Sequence, residues 1–209
     1  MHGLFITFEG GDGSGKSTQS ALLVEWLEAR GRVVVTTREP GGTDLGEELR
    51  ELVLHRRGHI APRAEALIYA ADRAHHIATK VRPAIARGEV VVQDRYLDSS
   101  VAYQGVGREL GATEVRNISL WATEGLLPDL TILLDLDPAI GRGRLDAART
   151  RYDRLEAEEQ EFHARVRHAY LDLAEAEPER FLVLDAALGA DELAAAIRDR
   201  VAVLLGRPA

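Results

Sequence analysis

Gly10-Gly11-Asp12-Gly13-Ser14-Gly15-Lys16-Ser17 fits the pattern G-x-x-x-x-G-K-[ST] and decides the fold. Just before it, Leu4-Phe5-Ile6-Thr7-Phe8 is a short, mostly apolar run that reads as a buried strand. After it, Leu22, Leu23, Trp26 and Leu27 recur at helical spacing up to about Arg30, and Gly31 is a natural C-terminal stop. A glycine-rich turn between a strand and a helix lets successive backbone N–H groups point at phosphate oxygens, and the helix N-terminus adds partial positive charge. Residues Gly10 to Ser17, with Thr18 following, are therefore expected to bind a nucleoside triphosphate. Lys16 should reach the β- and γ-phosphates, and the Ser17 hydroxyl should ligate Mg²⁺. A switch protein or an assembly ATPase would carry the same loop, so it identifies the ligand and not the reaction.

Outward from the loop, apolar strands alternate with helices. Val33 to Thr36 reads as a second strand, followed by the loop Arg38-Glu39-Pro40-Gly41-Gly42-Thr43. Leu45, Leu49, Leu52 and Val53 suggest a short helix. Pro62 opens a longer, alanine-rich helix that Pro83 should end or kink. Val90-Val91-Val92 makes a third strand, Thr113 to Glu124 a helix, Leu130 to Leu136 a fourth strand and Phe181 to Leu184 a fifth. A long charged helix runs to about Ala176, and Asp191 begins the closing one. This alternation indicates an α/β fold with a parallel sheet of five strands and helices on both faces, the P-loop nucleotide-binding architecture. Residues 1–209 read as one domain.

Composition narrows the class. Hydrophobic residues make up 45% and charged residues 29% of 209, ordinary for a globular protein. The net charge of −8, from 34 acidic and 26 basic side chains, argues against a nucleic-acid partner, which needs a broad basic surface. No run approaches the roughly 20 apolar residues that span a bilayer, and Met1-His2-Gly3-Leu4 lacks the features of a signal peptide. With no cysteine there is no thiolate nucleophile or Cys-based zinc site. The expected location is cytoplasmic, with no membrane partner.

Asp94 ends the third strand, where a P-loop protein places a second Mg²⁺-associated carboxylate. Ligands of open α/β sheets bind beyond the carboxyl ends of the strands, so Asp94, Arg95 and the P-loop should share one crevice.

Several blocks in their order and spacing resemble the thymidylate kinase family: Phe8-Glu9-Gly10 through Thr18; Thr37-Arg38-Glu39-Pro40-Gly41-Gly42; Ala70-Ala71-Asp72-Arg73; Asp94-Arg95-Tyr96 with Ser99-Ser100 and Tyr103-Gln104-Gly105; and Asp153-Arg154-Leu155-Glu156. The resemblance covers nearly the whole chain. It implies a five-stranded parallel sheet, a homodimer joined through helices, and transfer of the ATP γ-phosphoryl group to dTMP with Mg²⁺. Arg38, Arg50 and Arg95 match positions that hold the acceptor phosphate. Planar guanidinium forks suit that anion, which needs charge neutralisation more than a general base. Tyr69 matches a residue stacked on thymine, Arg73 one that contacts a base carbonyl, and Ser100 and Gln104 polar groups on the base edge. Tyr103 matches a ring near the sugar 2′ position, and Asp12 a carboxylate near the 3′-hydroxyl and acceptor phosphate. His75 and His76 suggest no metal site and read as structural or solvent-facing.

Arg142, Arg144, Arg149, Arg151 and Arg154 fall within one short stretch, about 142–156. They read either as a solvated basic face or as a lid that closes over ATP. The family places a catalytic arginine in the P-loop or in the lid. Here the variable loop positions Gly11-Asp12-Gly13-Ser14 hold no basic residue, so the chain resembles the lid-arginine form, with Arg149 or Arg151 as the candidate. Arg144 matches a position packed on adenine. The alternatives are a kinase for another pyrimidine nucleotide or a deoxynucleoside, and a P-loop nucleotide switch. A nucleoside kinase would favour a carboxylate base at the acceptor over three phosphate-gripping arginines.

Overall fold

The computed structural model of the protein describes residues 3–55, 58–148 and 153–206. Five strands, β1 (Leu4–Glu9), β2 (Val34–Arg38), β3 (Val90–Asp94), β4 (Leu130–Asp135) and β5 (Phe181–Asp185), form one sheet in the order β2-β3-β1-β4-β5. Every pairing is parallel. Parallel neighbours need crossover connections, and helices supply them: α1 (Lys16–Glu28), α2 (Asp44–Arg50), α3 (Pro62–His76), α4 (Arg82–Ala86), α5 (Leu97–Ser100), α6 (Ala112–Ala122), α7 (Pro138–Ala148) and α8 (Gln160–Ala176), while α9 (Ala190–Leu205) follows the last strand.

β1 is buried along its whole length, which explains its unbroken apolar sequence. Side chains alternate across the pleat. Leu4, Ile6 and Phe8 pack with Leu23 and Leu27 of α1 and Ile197 and Val201 of α9. Phe5 points the other way, onto Ile77, Val81, Tyr96 and Val101. A third cluster joins Tyr69, Tyr103, Phe162, Val166 and Tyr170 beneath the functional end of the sheet.

Two local expectations shift. β2 runs on to Arg38, because its ladder with β3 extends to the pair Arg38–Asp94 and sets those residues side by side. The helix begun at Pro62 does not stop before Pro83. A π-helical turn over Ile77–Val81 widens the coil, and Pro83 then falls in the first turn of α4, where its missing N–H costs no internal hydrogen bond. The chain leaves β1 towards β2 and β3 on one side, then crosses to β4 on the other. The carboxyl ends of β1 and β3 therefore flank a topological switch point, the usual position of a ligand crevice.

Candidate functional site

The loop between β1 and α1 bends where only glycine fits. Gly10 has φ 129°, and a Cβ there would lie 2.4 Å from the Leu134 carbonyl oxygen of β4. A Cβ on Gly13 would come 2.5 Å from the carbonyl oxygen of Gly141 in α7, so loop and helix meet backbone to backbone. Lys16 folds back over the loop, its Nζ donating to the carbonyls of Gly10 (3.1 Å) and Gly11 (2.9 Å). Burial, with the neighbouring Arg95 guanidinium, pulls the Lys16 ammonium below its ordinary range. Arg144 donates to the carbonyls of Gly13 (3.2 Å) and Ala186 (3.1 Å), so α7 is tied to the loop by a side chain as well.

A cavity of about 490 Å³ opens beyond the strand ends. Lys16, Ser17, Thr18 and Arg144 line it together with Arg38, Arg50, Asp94 and Arg95. Asp12, Gly13 and Gly15 also border it, and Tyr69, Arg73, Ser100, Tyr103 and Gln104 complete the wall. Gly10 and Gly11 border a smaller adjoining space of about 40 Å³, and Ser14 lies buried within the loop.

Arg95 follows β3 in a left-handed backbone conformation, φ 65°, which a bulky side chain adopts only under constraint from its surroundings. That turn aims its guanidinium back at the P-loop. Nη2 lies 2.6 Å from Asp12 Oδ1 and 3.3 Å from the Tyr103 hydroxyl, while Nη1 donates to Ser99 Oγ and the Tyr170 hydroxyl, both at 3.2 Å. Burial alone would raise the Asp12 carboxyl, but the charges of Arg95 and Lys16 outweigh it and bring Asp12 down to about 2. Burial likewise opposes the charge on Arg95, yet Tyr103 and Asp12 hold its guanidinium well above the usual range.

The other two arginines expected at the acceptor phosphate also have partners. Arg38, half exposed, donates from Nη2 to both carboxylate oxygens of Glu47 (2.9 and 3.0 Å). Arg50 donates to the Pro40 carbonyl (2.8 Å), which anchors α2 against the loop after β2. Arg38, Arg50 and Arg95 thus face one cavity, each steadied by a group that an anion could replace or join.

Arg73 is only 1% exposed. Its Nε donates to Glu39 Oε2 (2.8 Å), Nη1 to Ser119 Oγ (3.0 Å), and Nη2 to Ser100 Oγ (3.0 Å) and the Tyr96 carbonyl (3.3 Å). The second oxygen of Glu39 meets His76 Nδ1 at 3.0 Å, and His76 Nε2 meets Thr37 Oγ1 at 2.7 Å. His76 is fully buried and structural. Tyr69 stands between core and cavity, packed in the cluster of Val53, Leu54 and Tyr103, and burial pushes its hydroxyl far up. Gln104 donates its amide nitrogen to Glu65 Oε1 at 2.8 Å.

Three buried carboxylates that support these groups escaped the sequence reading as site residues. Glu9 accepts from the Tyr96 amide (2.7 Å), Ser99 Oγ (2.6 Å) and the Tyr170 hydroxyl (2.8 Å). Burial, and then Asp98, raise its carboxyl to about 7. Glu39 and Glu65 orient Arg73 and Gln104. Glu9 and Glu39 stand inside quoted motif blocks and could have been weighed; Glu65 is an isolated acid on a helix, and nothing local marks it.

Asp94 Oδ1 is buried without a hydrogen-bond partner, and exposed Ser17 lines the same cavity. An orphaned carboxylate oxygen on a residue that borders the same cavity as the glycine-rich loop fits a Mg²⁺ whose remaining ligands come from phosphate and water. Among the described residues no group of three or more His, Cys, Asp or Glu could hold a metal unaided. Arg149 and Arg151 lie outside the described residues. Of the neighbouring arginines, Arg142 donates to the Glu156 carbonyl (2.8 Å) and Arg154 to the Val53 carbonyl (2.9 Å).

Among the described residues, no helix is long and apolar enough to cross a membrane. The family model for thymidylate kinase matches residues 8–197. The chain is 72% identical over 205 residues to the thymidylate kinase of Clavibacter sepedonicus, covering 98% of this chain and 97% of that one. It is 75% identical over 199 residues to that of Leifsonia xyli subsp. xyli, covering 95% and 94%. The crystal structure of thymidylate kinase from Ehrlichia chaffeensis superimposes with a TM-score of 0.77 at 31% identity, covering 98% and 99%. A phosphate loop and a set of convergent arginines on this sheet, together with that full-length likeness, make the chain a member of the thymidylate kinase family.

Proposed function

We infer that the protein transfers the γ-phosphoryl group of ATP to dTMP, giving ADP and dTDP. The observation that carries this reading is a single cavity walled by Lys16 and the P-loop on one hand, and by Arg38, Arg50 and Arg95 with Tyr69 and Gln104 on the other. Two anion cradles in one cavity suit the transfer of phosphate between two phosphorylated nucleotides. A nucleotide switch has no use for the second.

The acceptor phosphate supplies its own anionic oxygen, so the chain's task is alignment and charge stabilisation. Lys16 leaves its carbonyl contacts on Gly10 and Gly11 to meet the donor phosphates. Arg95 exchanges part of its contact with Asp12 for the acceptor phosphate, which Arg38 and Arg50 hold in line. Kinases of this family use ATP with Mg²⁺, and Ser17 and Asp94 are the residues that would hold the ion here. When bound, it neutralises charge on the donor phosphates. Tyr69 would face the base, Arg73, Ser100 and Gln104 its polar edge, and Tyr103 the sugar; Arg144 would lie against the donor nucleotide. A lid over about 142–156 would deliver Arg149 or Arg151 to the transferring group. α3 and α6 pack together and carry the exposed apolar side chains Leu67, Ile118 and Trp121, which supports a homodimer joined through helices. Nothing in the apolar patterning calls for a site other than the cytoplasm.

An ADP-release assay with dTMP, dUMP, dCMP, AMP, GMP and thymidine tests the reading. The expected result is fastest release with dTMP and none with thymidine. Slow ATP hydrolysis indifferent to every acceptor would refute it.

A further inference from the structure

Glu65 lies in the first turn of α3, fully buried, although no reaction step requires it. Its Oε1 accepts from Gln104 Nε2 at 2.8 Å and lies 3.5 Å from Arg108 Nε. Its Oε2 lies 2.6 Å from Arg154 Nη2, a close ion pair that is not aligned as a hydrogen bond. Arg108 is itself held by Glu158 at 2.6 Å, and Arg154 by the Val53 carbonyl. Two anchored guanidinium groups supply the counter-charge that a buried carboxylate needs.

This arrangement has a consequence at the neighbouring amide. A side-chain amide has one donating and one accepting end, and its two orientations are nearly equal in shape. A carboxylate flanked by arginines only accepts. Gln104 must therefore turn its NH₂ towards Glu65, which leaves its carbonyl oxygen as the end available to the cavity. Gln104 is 2% exposed, so water offers little compensation for the wrong orientation.

We propose that Glu65 is a positioning residue for base selection: by fixing the amide of Gln104, it makes the acceptor pocket present a hydrogen-bond acceptor to pyrimidine position 3. Thymine and uracil carry N3–H there and satisfy it. Cytosine carries a bare acceptor nitrogen at N3 and meets oxygen against lone pair. The proposal rests on the dTMP-kinase reading and adds which atom of Gln104 does the selecting, and why.

Glu65→Gln keeps the shape and removes the constraint. Its own NH₂ would clash with Arg154 at 2.6 Å but could point to Gln104, because the Arg108 contact on that side is long. Gln104 would then turn over and offer NH₂ to the base. The test is kcat/KM of wild type and E65Q with dTMP, dUMP and dCMP. The dTMP-to-dCMP ratio should fall at least about tenfold in E65Q. The dTMP-to-dUMP ratio should stay within about twofold, since both bases carry N3–H. Ratios that both stay put, or that drift together, would overturn the proposal. Wild type that fails to use dTMP would instead refute the proposed function. Should E65Q fold poorly, hydrogen exchange of the Gln104 side-chain amide in ¹⁵N-labelled wild type decides the matter, with the signals assigned by their loss in Gln104→Leu. Protection in both free and dTMP-bound protein is expected, and rapid exchange in the free protein would overturn the proposal.

Discussion

Asp12 Oδ1 and Arg95 Nη2 lie 2.6 Å apart, so a carboxylate of the loop between β1 and α1 grips the guanidinium that follows β3. The loop after β1 and the carboxyl end of β3 are thereby held in register by a side-chain ion pair. Replacing Arg95 with Ala should cut kcat/KM for dTMP about 10²-fold or more, because a preorganised charge at the acceptor phosphate is lost. Steady-state ADP release checks this, and an effect under threefold would show that Arg95 does not hold the acceptor phosphate.

The same pair should be visible in acid. The folded-state value of Asp12, about 2, lies below its ordinary 3.8. A depressed carboxyl stabilises the fold above its unfolded value and loses that contribution as pH falls through the folded one. Wild type should therefore exceed Asp12→Asn in stability by up to about 2 kcal/mol near neutrality, with the gap closing between about pH 4 and 2. Urea unfolding of both proteins across that range is the measurement.

Glu9 should behave in the opposite sense. Burial and Asp98 raise its carboxyl from 4.5 to about 7, so the folded state holds its proton longer than the unfolded chain does. Its contribution then erodes as pH climbs from about 4.5 to 7. Glu9→Gln cannot titrate, and its stability should change less across that interval than that of wild type. Parallel denaturation curves for the two proteins from pH 4.5 to 7 would contradict this.

Lys16→Ala should lower kcat about 10³-fold or more with the fold retained, since among the described residues Lys16 hydrogen-bonds to two loop carbonyls and to no other element. Unchanged far-UV circular dichroism alongside lost turnover is the expected pattern.

Arg73→Lys is charge-conserving but not conservative here. Lysine cannot reproduce a fork that donates to Glu39, Ser100, Ser119 and the Tyr96 carbonyl together. A loss of about 2–4 kcal/mol is expected. Scanning calorimetry should register it as a Tm fall of roughly 5–15 °C.

The fold was legible because its signals are local. The P-loop is one contiguous stretch, the strands are apolar runs, and Asp94–Arg95 sits where a strand ends. Proline was legible as a constraint but not in its outcome: the π-helical turn at Ile77–Val81 that accommodates Pro83 depends on packing against Phe5 and Val91. Many of the residues that border the cavity stand in the motif blocks, whereas Arg50, Tyr69 and Arg144 stand outside them. Their present partners could not be read from sequence, because Arg38–Glu47, Arg73–Glu39 and Gln104–Glu65 join separate elements, and no periodicity connects them. A buried carboxylate declares itself only once its environment exists.

Gly13 and Gly141 touch through their main chains, and each would be obstructed by a side chain on the other's side: a methyl on Gly141 would meet the Asp12 carbonyl oxygen at 2.5 Å. α7 therefore works as a wedge seated directly against the glycine-rich turn, main chain on main chain, with little room to absorb a mismatch. Alanine at position 141, outside the loop's own sequence, would lever that turn open and should surface as weakened nucleotide grip, a lesion easily mistaken for one in the loop itself.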